Sequence, residues 1–290
     1  MSKHEPPAFE QRMLDELTIR DERSFRHVEL YADLKEVLRR AAYSFRVLPK
    51  SPTPRADRAL LINLTFWGAD AGGDVLIDEY IDADVVAHAA WHHLAARAMA
   101  GAAGTRPSVE GLFLGEAVAS AFDVYLVGRL LGHAPQSTFL ETQVPAMADA
   151  ADAAGLGEDE FEQMLQGIAA DPDRAFADLR ELLFDATTAL FACQSPEEAH
   201  AALAAFDAHR FTSLLHRYEL SNWVLYARAY GDARTDDPRP RAVDHALREA
   251  KVSLDWLAEQ WIDTALSYRN IGGGGGAGGV VGAPSGAPTL

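Results

Sequence analysis

The chain has one cysteine, too few cations for its anions and no long apolar run, and each shortage removes a class of protein. The lone Cys193 forms no internal disulfide, so no disulfide framework holds the fold, and it excludes a thiolate-rich zinc site. Lys and Arg number 26 against 43 Asp and Glu, a formal net charge of −17. A surface this acidic repels phosphate backbones and anionic lipid, which argues against nucleic-acid and membrane partners. No stretch approaches the roughly 18 consecutive apolar residues of a bilayer-spanning helix. The N-terminus, MSKHEPPAFEQRM, lacks the apolar core of a secretory signal, so a cytoplasmic protein is expected. Phosphate-cradling G-x-x-x-x-G-K-[ST] and G-x-G-x-x-G motifs are absent, as is the G-x-S-x-G elbow of a serine hydrolase.

The rest of the chain is patterned mainly as helix. Residues 9–47 carry apolar groups at helical spacing (Phe25, Val28, Tyr31, Leu34, Val37, Leu38, Ala41, Phe45), and residues 1–49 are read as an N-terminal helical segment. KSPTPRADR, 50–58, is a proline-rich linker. ALLINLTFW, 59–67, and DVLIDEYI, 74–81, flank a glycine-containing loop and predict a β-hairpin, the one β feature expected. Helices are predicted from Asp82 or Asp84 to about Ala100 and from Ser108 to Leu131, so that 50–135 joins the hairpin to two helices. Further helices are expected over 136–154, 158–169, 172–193, 219–230 and 240–269, within a C-terminal helical region of 136–271. Ser195-Pro196-Glu197-Glu198 is a capping box opening a helix to about His216. Residues 272–290, with nine glycines and no charge, read as a disordered tail.

Chemistry concentrates in the helix after the hairpin, D-V-V-A-H-A-A-W-H-H-L. His88 and His92, four apart, lie one turn apart on one face, where two imidazoles can reach one metal ion. Glu116, in G-L-F-L-G-E-A, follows after enough chain for a turn and an antiparallel return. Two imidazoles and a carboxylate make a three-ligand zinc site with a fourth position open. His93, about 100° around the helix from His92, is expected at the surface. The acids Asp57, Asp70, Asp74, Asp78, Glu79, Asp82 and Asp84 crowd the hairpin region and read as a solvated acidic rim, favouring a basic or neutral ligand. Trp91, Trp223, Trp256 and Trp261 read as core, and Cys193 as inert packing.

A hairpin, an H-x-x-x-H helix and a second helix carrying G-E-A resemble the gluzincin metallopeptidases, of which thermolysin is one, over residues 59–131. The resemblance implies a zincin-like helical domain, zinc held by His88, His92 and Glu116, and a hairpin that binds an extended peptide by strand addition. It also marks two departures. The family's H-E-x-x-H supplies a general base, and here that position is Ala89, so the catalytic residue is unknown; loss of such a base costs about two to four orders of magnitude in rate. Where many members carry an Asp that orients a ligand histidine, this chain has Ser120, with Asp123 on the same face as a substitute. Oxyanion stabilisers in such enzymes are a downstream His or Tyr, for which His216 and Tyr226 are candidates, with His209, Tyr218 and Tyr230 also available. The reading is a gluzincin-like zinc protein, impaired or repurposed as a hydrolase, that binds peptide or protein. Its alternatives are a metal-free α-helical interaction protein, or another metal-dependent helical enzyme using Asp123, since iron accepts the same donors. Restoring Glu at position 89 is expected to create or raise peptidase activity if the cleft survives.

Overall fold

The computed structural model describes residues 9–50, 72–100, 107–232 and 237–267. The protein is mainly α, built around α3 (Val109–His133). That helix is apolar on every side, so it gains most by being surrounded. By length and composition it could cross a membrane, but 83% of its apolar window is buried inside the protein, as befits a central core helix. Ser108 caps its start, the Oγ accepting from the Gly111 N–H at 3.2 Å. Against α3 pack α2 (Ala83–Ala98), α6 (Pro172–Ala192) and α5 (Glu158–Ala170). Where α5 ends and α6 begins, the approach is so close that a Cβ on Gly128 would stand 2.6 Å from the Ile168 carbonyl oxygen. Glycine is needed there for space. The helices α4 (Thr138–Ala153), α7 (Pro196–Ala204), α8 (Leu220–Tyr230) and α9 (Arg239–Glu249) complete the layers around this centre.

The N-terminal segment departs from its predicted helical character. Among its described residues only α1 (Tyr31–Arg40) is α-helical; around it lie β1 (Glu10–Met13), β2 (Thr18–Arg20), β3 (Ser44–Val47) and two short 3-10 turns, Leu14–Glu16 and Ser24–His27. The apolar spacing misled because the same residues (Leu14, Phe25, Val28) face one core from different elements. Two left-handed residues break the chain, Asp21 at φ 55° and Ala42 at φ 50°. Ala42 completes a helix stop in which the Tyr43 N–H reaches the Leu38 carbonyl at 3.0 Å and the Ala42 N–H reaches Arg39 at 3.1 Å.

The predicted second hairpin arm, 74–81, is two strands, β4 (Gly72–Leu76) and β5 (Tyr80–Asp82), in different sheets. β4 runs parallel to β3, which pairs antiparallel with β1; β5 runs parallel to β2. The first arm, 59–67, lies outside the described residues, as do most of the 50–58 linker and the tail at 272–290. β structure is therefore not confined to a hairpin: the N-terminal segment supplies three of the strands. Two predicted helices are also cut short. The one opened by Ser195 ends at Ala204, and residues Thr212–Arg217 form a 3-10 turn that brings Phe211 and Leu214 into the core. The span 240–269 breaks after Glu249, where the Ser253 hydroxyl donates to the Leu247 carbonyl, and resumes as α10 (Ser253–Leu257), a π-turn and α11 (Asp263–Ser267). Trp91 and Trp261 are buried in the core, and Trp223 and Trp256 pack against it. Cys193 is partly exposed, its thiol donating to the Ala189 carbonyl.

Asp21 joins this N-terminal layer to the bundle. Its carboxylate accepts from Ser24 and Ser137, each at 2.5 Å, and from Thr138 at 3.3 Å, so it also holds the start of α4. Burial raises its pKa, but these bonds and the Phe139 backbone outweigh it, and the net shift is downward. A depressed folded pKa stabilises above the unfolded value and loses that contribution as pH falls through the folded one. Asp21→Ala is expected to cost about 2 kcal/mol at neutral pH. Urea titrations of both proteins should show the difference shrinking below about pH 4.

Candidate metal centre

α2 and α3 run antiparallel and close together because their facing residues are small. A Cβ on Gly115 would stand 3.2 Å from the Ala95 Cβ, and Ala87, Ala89, Ala90, Ala117 and Ala119 are buried along the two helices. This closeness lets a glutamate on one helix reach an imidazole on the other. On α2, His88 and His92 share a face with Asp84 at intervals of four. On α3, Glu116, Ser120 and Asp123 share a face at intervals of four and three.

The three predicted ligands meet. His88 Nε2 and His92 Nε2 are 3.1 Å apart, and His92 Nε2 and Glu116 Oε2 are 3.2 Å apart. The ligand atoms of all three lie within 4.8 Å of one another. Tetrahedral zinc with bonds of about 2.0–2.1 Å sets its ligand atoms about 3.3 Å apart, so the donor spacing fits a cation. The donor set, two imidazole nitrogens and one carboxylate, suits zinc among other divalent ions. Asp123 Oδ2 stands 3.4 Å from His88 Nδ1, on the side of the ring away from the donor atom. This is where a carboxylate fixes a metal-bound histidine's tautomer and orientation. Ser120 acts on the glutamate: its hydroxyl donates to Glu116 Oε1 at 3.5 Å. The His88 and Asp123 side chains remain 26% and 21% exposed while His92 is at 4%, so the centre opens toward solvent on the His88 side.

The electrostatics are those of a crowded acidic pocket. Burial disfavours a charge on His88, but Asp123, Glu116 and Asp74 overcome it and push its pKa up to about 9. His92, buried and beside that cation, is held well below its usual value. Burial raises Glu116 to about 7, with repulsion from Asp123 added and His88 opposing. Asp84 is likewise raised to about 7 by burial and by Asp123. Asp74 is not part of a solvated rim: it is buried, accepts from Tyr43 Oη at 2.6 Å, and burial raises its pKa. Carboxylates thus outnumber imidazoles, an arrangement that a divalent cation would relieve.

Other expectations fare unevenly. His93 is not at the surface; it is 2% exposed, its ring edge-on to Tyr43 at 5.6 Å. Tyr43, just before β3, meets it there, and α1 packs against α2. Ala89 is buried among apolar neighbours. Asp78 and Glu79 are exposed, as expected of a rim, whereas Asp57 and Asp70 lie outside the described residues. His216 is exposed on the 3-10 turn, and Tyr226 packs its ring on Tyr230 at 4.8 Å; neither enters the bonds that join the triad. The sequence reads Asp84 and Asp74 as rim acids; the structure couples both to His88. For Asp84 the signal was present, an acid one turn before H-x-x-x-H; for Asp74 only the fold could supply it.

No family model, no curated protein and no solved structure matches this chain.

Proposed function

We propose that the protein binds one divalent cation, zinc by donor chemistry, through His88, His92 and Glu116, and uses the site to hold a peptide or protein ligand rather than to cleave it. The observation that carries this is the convergence of three donor atoms within 4.8 Å, two of whose separations, 3.1 and 3.2 Å, are close to the edge of a tetrahedral zinc site, with a fourth position left over. When bound, the cation supplies a Lewis-acid centre that polarises a carbonyl or water oxygen. The chain's own residues orient it: Asp123 fixes His88, Ser120 steadies Glu116, and the small residues of α2 and α3 keep the helices at working distance. The likeness to gluzincins is consistent with the same triad, and Ala89 accounts for a binding role in place of peptidase activity. The acidic surroundings favour a basic or neutral ligand.

One observation favours a second reading, a metal-free helical interaction protein. The same side chains pair with one another, His88 with His92 and Asp123 and His92 with Glu116, so they satisfy each other as a polar seam between helices. Metal analysis separates the two. Purified protein is expected to carry, or take up, about one equivalent of zinc, raising its melting temperature, and His92→Ala to abolish both. Less than about 0.2 equivalents, with no thermal shift on adding zinc, would leave the polar-seam reading standing.

A further inference from the structure

A cleft of about 410 Å³ lies between the 3-10 turn Ser24–His27 and α1, a volume within the range of small-molecule sites. Its floor is apolar, formed by Phe25, Val28 and Tyr31, whose burial closes the cleft off from the core. Its walls are charged. Glu22 and Arg26 stand on the side of the turn, and Lys35, Glu36 and Arg39 project from one face of α1. Four of these five are already engaged. Lys35 Nζ is 2.5 Å from Glu22 Oε1, which the Tyr31 hydroxyl also approaches at 3.5 Å. Arg39 is held by Asp15 at 2.7 Å and by Glu36 at 3.4 Å. Arg26 is the exception: it is exposed, and its guanidinium has no ion pair or hydrogen bond among the described residues.

The charge balance here runs against that of the whole chain. Overall, acids outnumber Lys and Arg by 43 to 26, whereas residues 20–40 carry six Lys and Arg against five Asp and Glu. The cleft itself has three cations to two acids, and the cation in excess is the unengaged Arg26. The ion pairs fix the walls, so the concavity is formed before anything enters it. A free guanidinium at its edge offers a planar fork that matches two oxygens of a carboxylate or phosphate.

We propose that this cleft binds a small organic anion, its carboxylate or phosphate taken by the Arg26 fork and its carbon skeleton laid over the apolar floor. Lys35 and Arg39 add attraction from the opposite wall, reduced by the acids they pair with. The cleft shares no residue with the histidine centre, so it stands whether or not a cation binds there.

Isothermal titration of the whole protein with succinate and with phenyl phosphate, at low ionic strength, tests the cleft. At least one is expected to bind with a Kd below about 1 mM, and the preference between them tells carboxylate from phosphate. Arg26→Gln should weaken that binding about tenfold or more. Arg23→Gln removes the same charge from an exposed position outside the cleft and should change it by less than about twofold. Both variants are expected to melt as wild type does, since neither side chain is buried. Glu22→Gln should strengthen binding severalfold, because it removes an acid from the wall and frees Lys35. Failure of both anions to bind below about 1 mM would overturn the site. Equal losses in the two arginine variants would do so too, by reducing the effect to general charge, as would weaker binding in Glu22→Gln.

Discussion

Asp244→Ala is expected to destabilise the protein by about 3–5 kcal/mol. The partner it abandons is Arg180, whose side chain is 1% exposed in the middle of α6. Arg180 Nη1 donates to Asp244 Oδ1, and its Nε has no partner among the described residues. Burial already pulls the Arg180 pKa below its usual range, with Asp244 opposing that pull. Removing the carboxylate strands a desolvated guanidinium, which costs far more than a surface pair would. Arg248 binds the other Asp244 oxygen at 2.8 Å and also reaches Asp185 at 2.7 Å, but it is more exposed and has other acids to turn to. Replacing both partners with apolar residues, Arg180→Met with Asp244→Leu, should recover most of the loss, because no charge is left buried. Urea denaturation of the single and double variants checks this. A double variant as unstable as Asp244→Ala would show that packing between α6 and α9, and not the stranded charge, dominates.

Ala89→Glu is expected to cost at least about 3 kcal/mol and to yield no peptidase activity. The bare sequence motif suggests the opposite, since it restores H-E-x-x-H. The position, however, is 1% exposed, and Ala87, Ala90 and Trp91 beside it are fully buried. A carboxylate there must displace close-packed atoms and forgo water without a described partner. Thermal denaturation and assay on a broad peptide library decide the matter. A variant within about 1 kcal/mol of wild type that cleaves peptide would place position 89 on the wall of an open cleft and overturn its assignment to the core.

Much of the helical frame was legible because its signals are local. Ser108 caps α3 and Ser195 caps α7 as their side chains dictate, and Gly157 and Pro172 stand at the starts of α5 and α6. The triad was legible for the same reason: a four-residue interval on one helix and a carboxylate on the next suffice to propose a meeting point. What failed was whatever depended on non-local pairing. β1, β2 and β3 owe their conformation to partners elsewhere in the chain, and their apolar residues mimic a helical period. The stop after α1 uses Ala42 where glycine is usual, so no residue type announced it. The break after Glu249 likewise depends on a side-chain hydroxyl folding back from Ser253.

The sequence by itself determined a mainly α protein with an acidic surface and a histidine pair on one helical face, since composition and i,i+4 spacing act without knowledge of the fold. Only the tertiary structure decided that His93 turns inward and that Asp74 is buried beneath Tyr43. It alone set Asp123 behind His88. Those outcomes depend on how closely α2 and α3 approach and on what β3 and β4 place around them. Distances of that kind arise from packing many distant residues at once, which no short stretch of chain encodes.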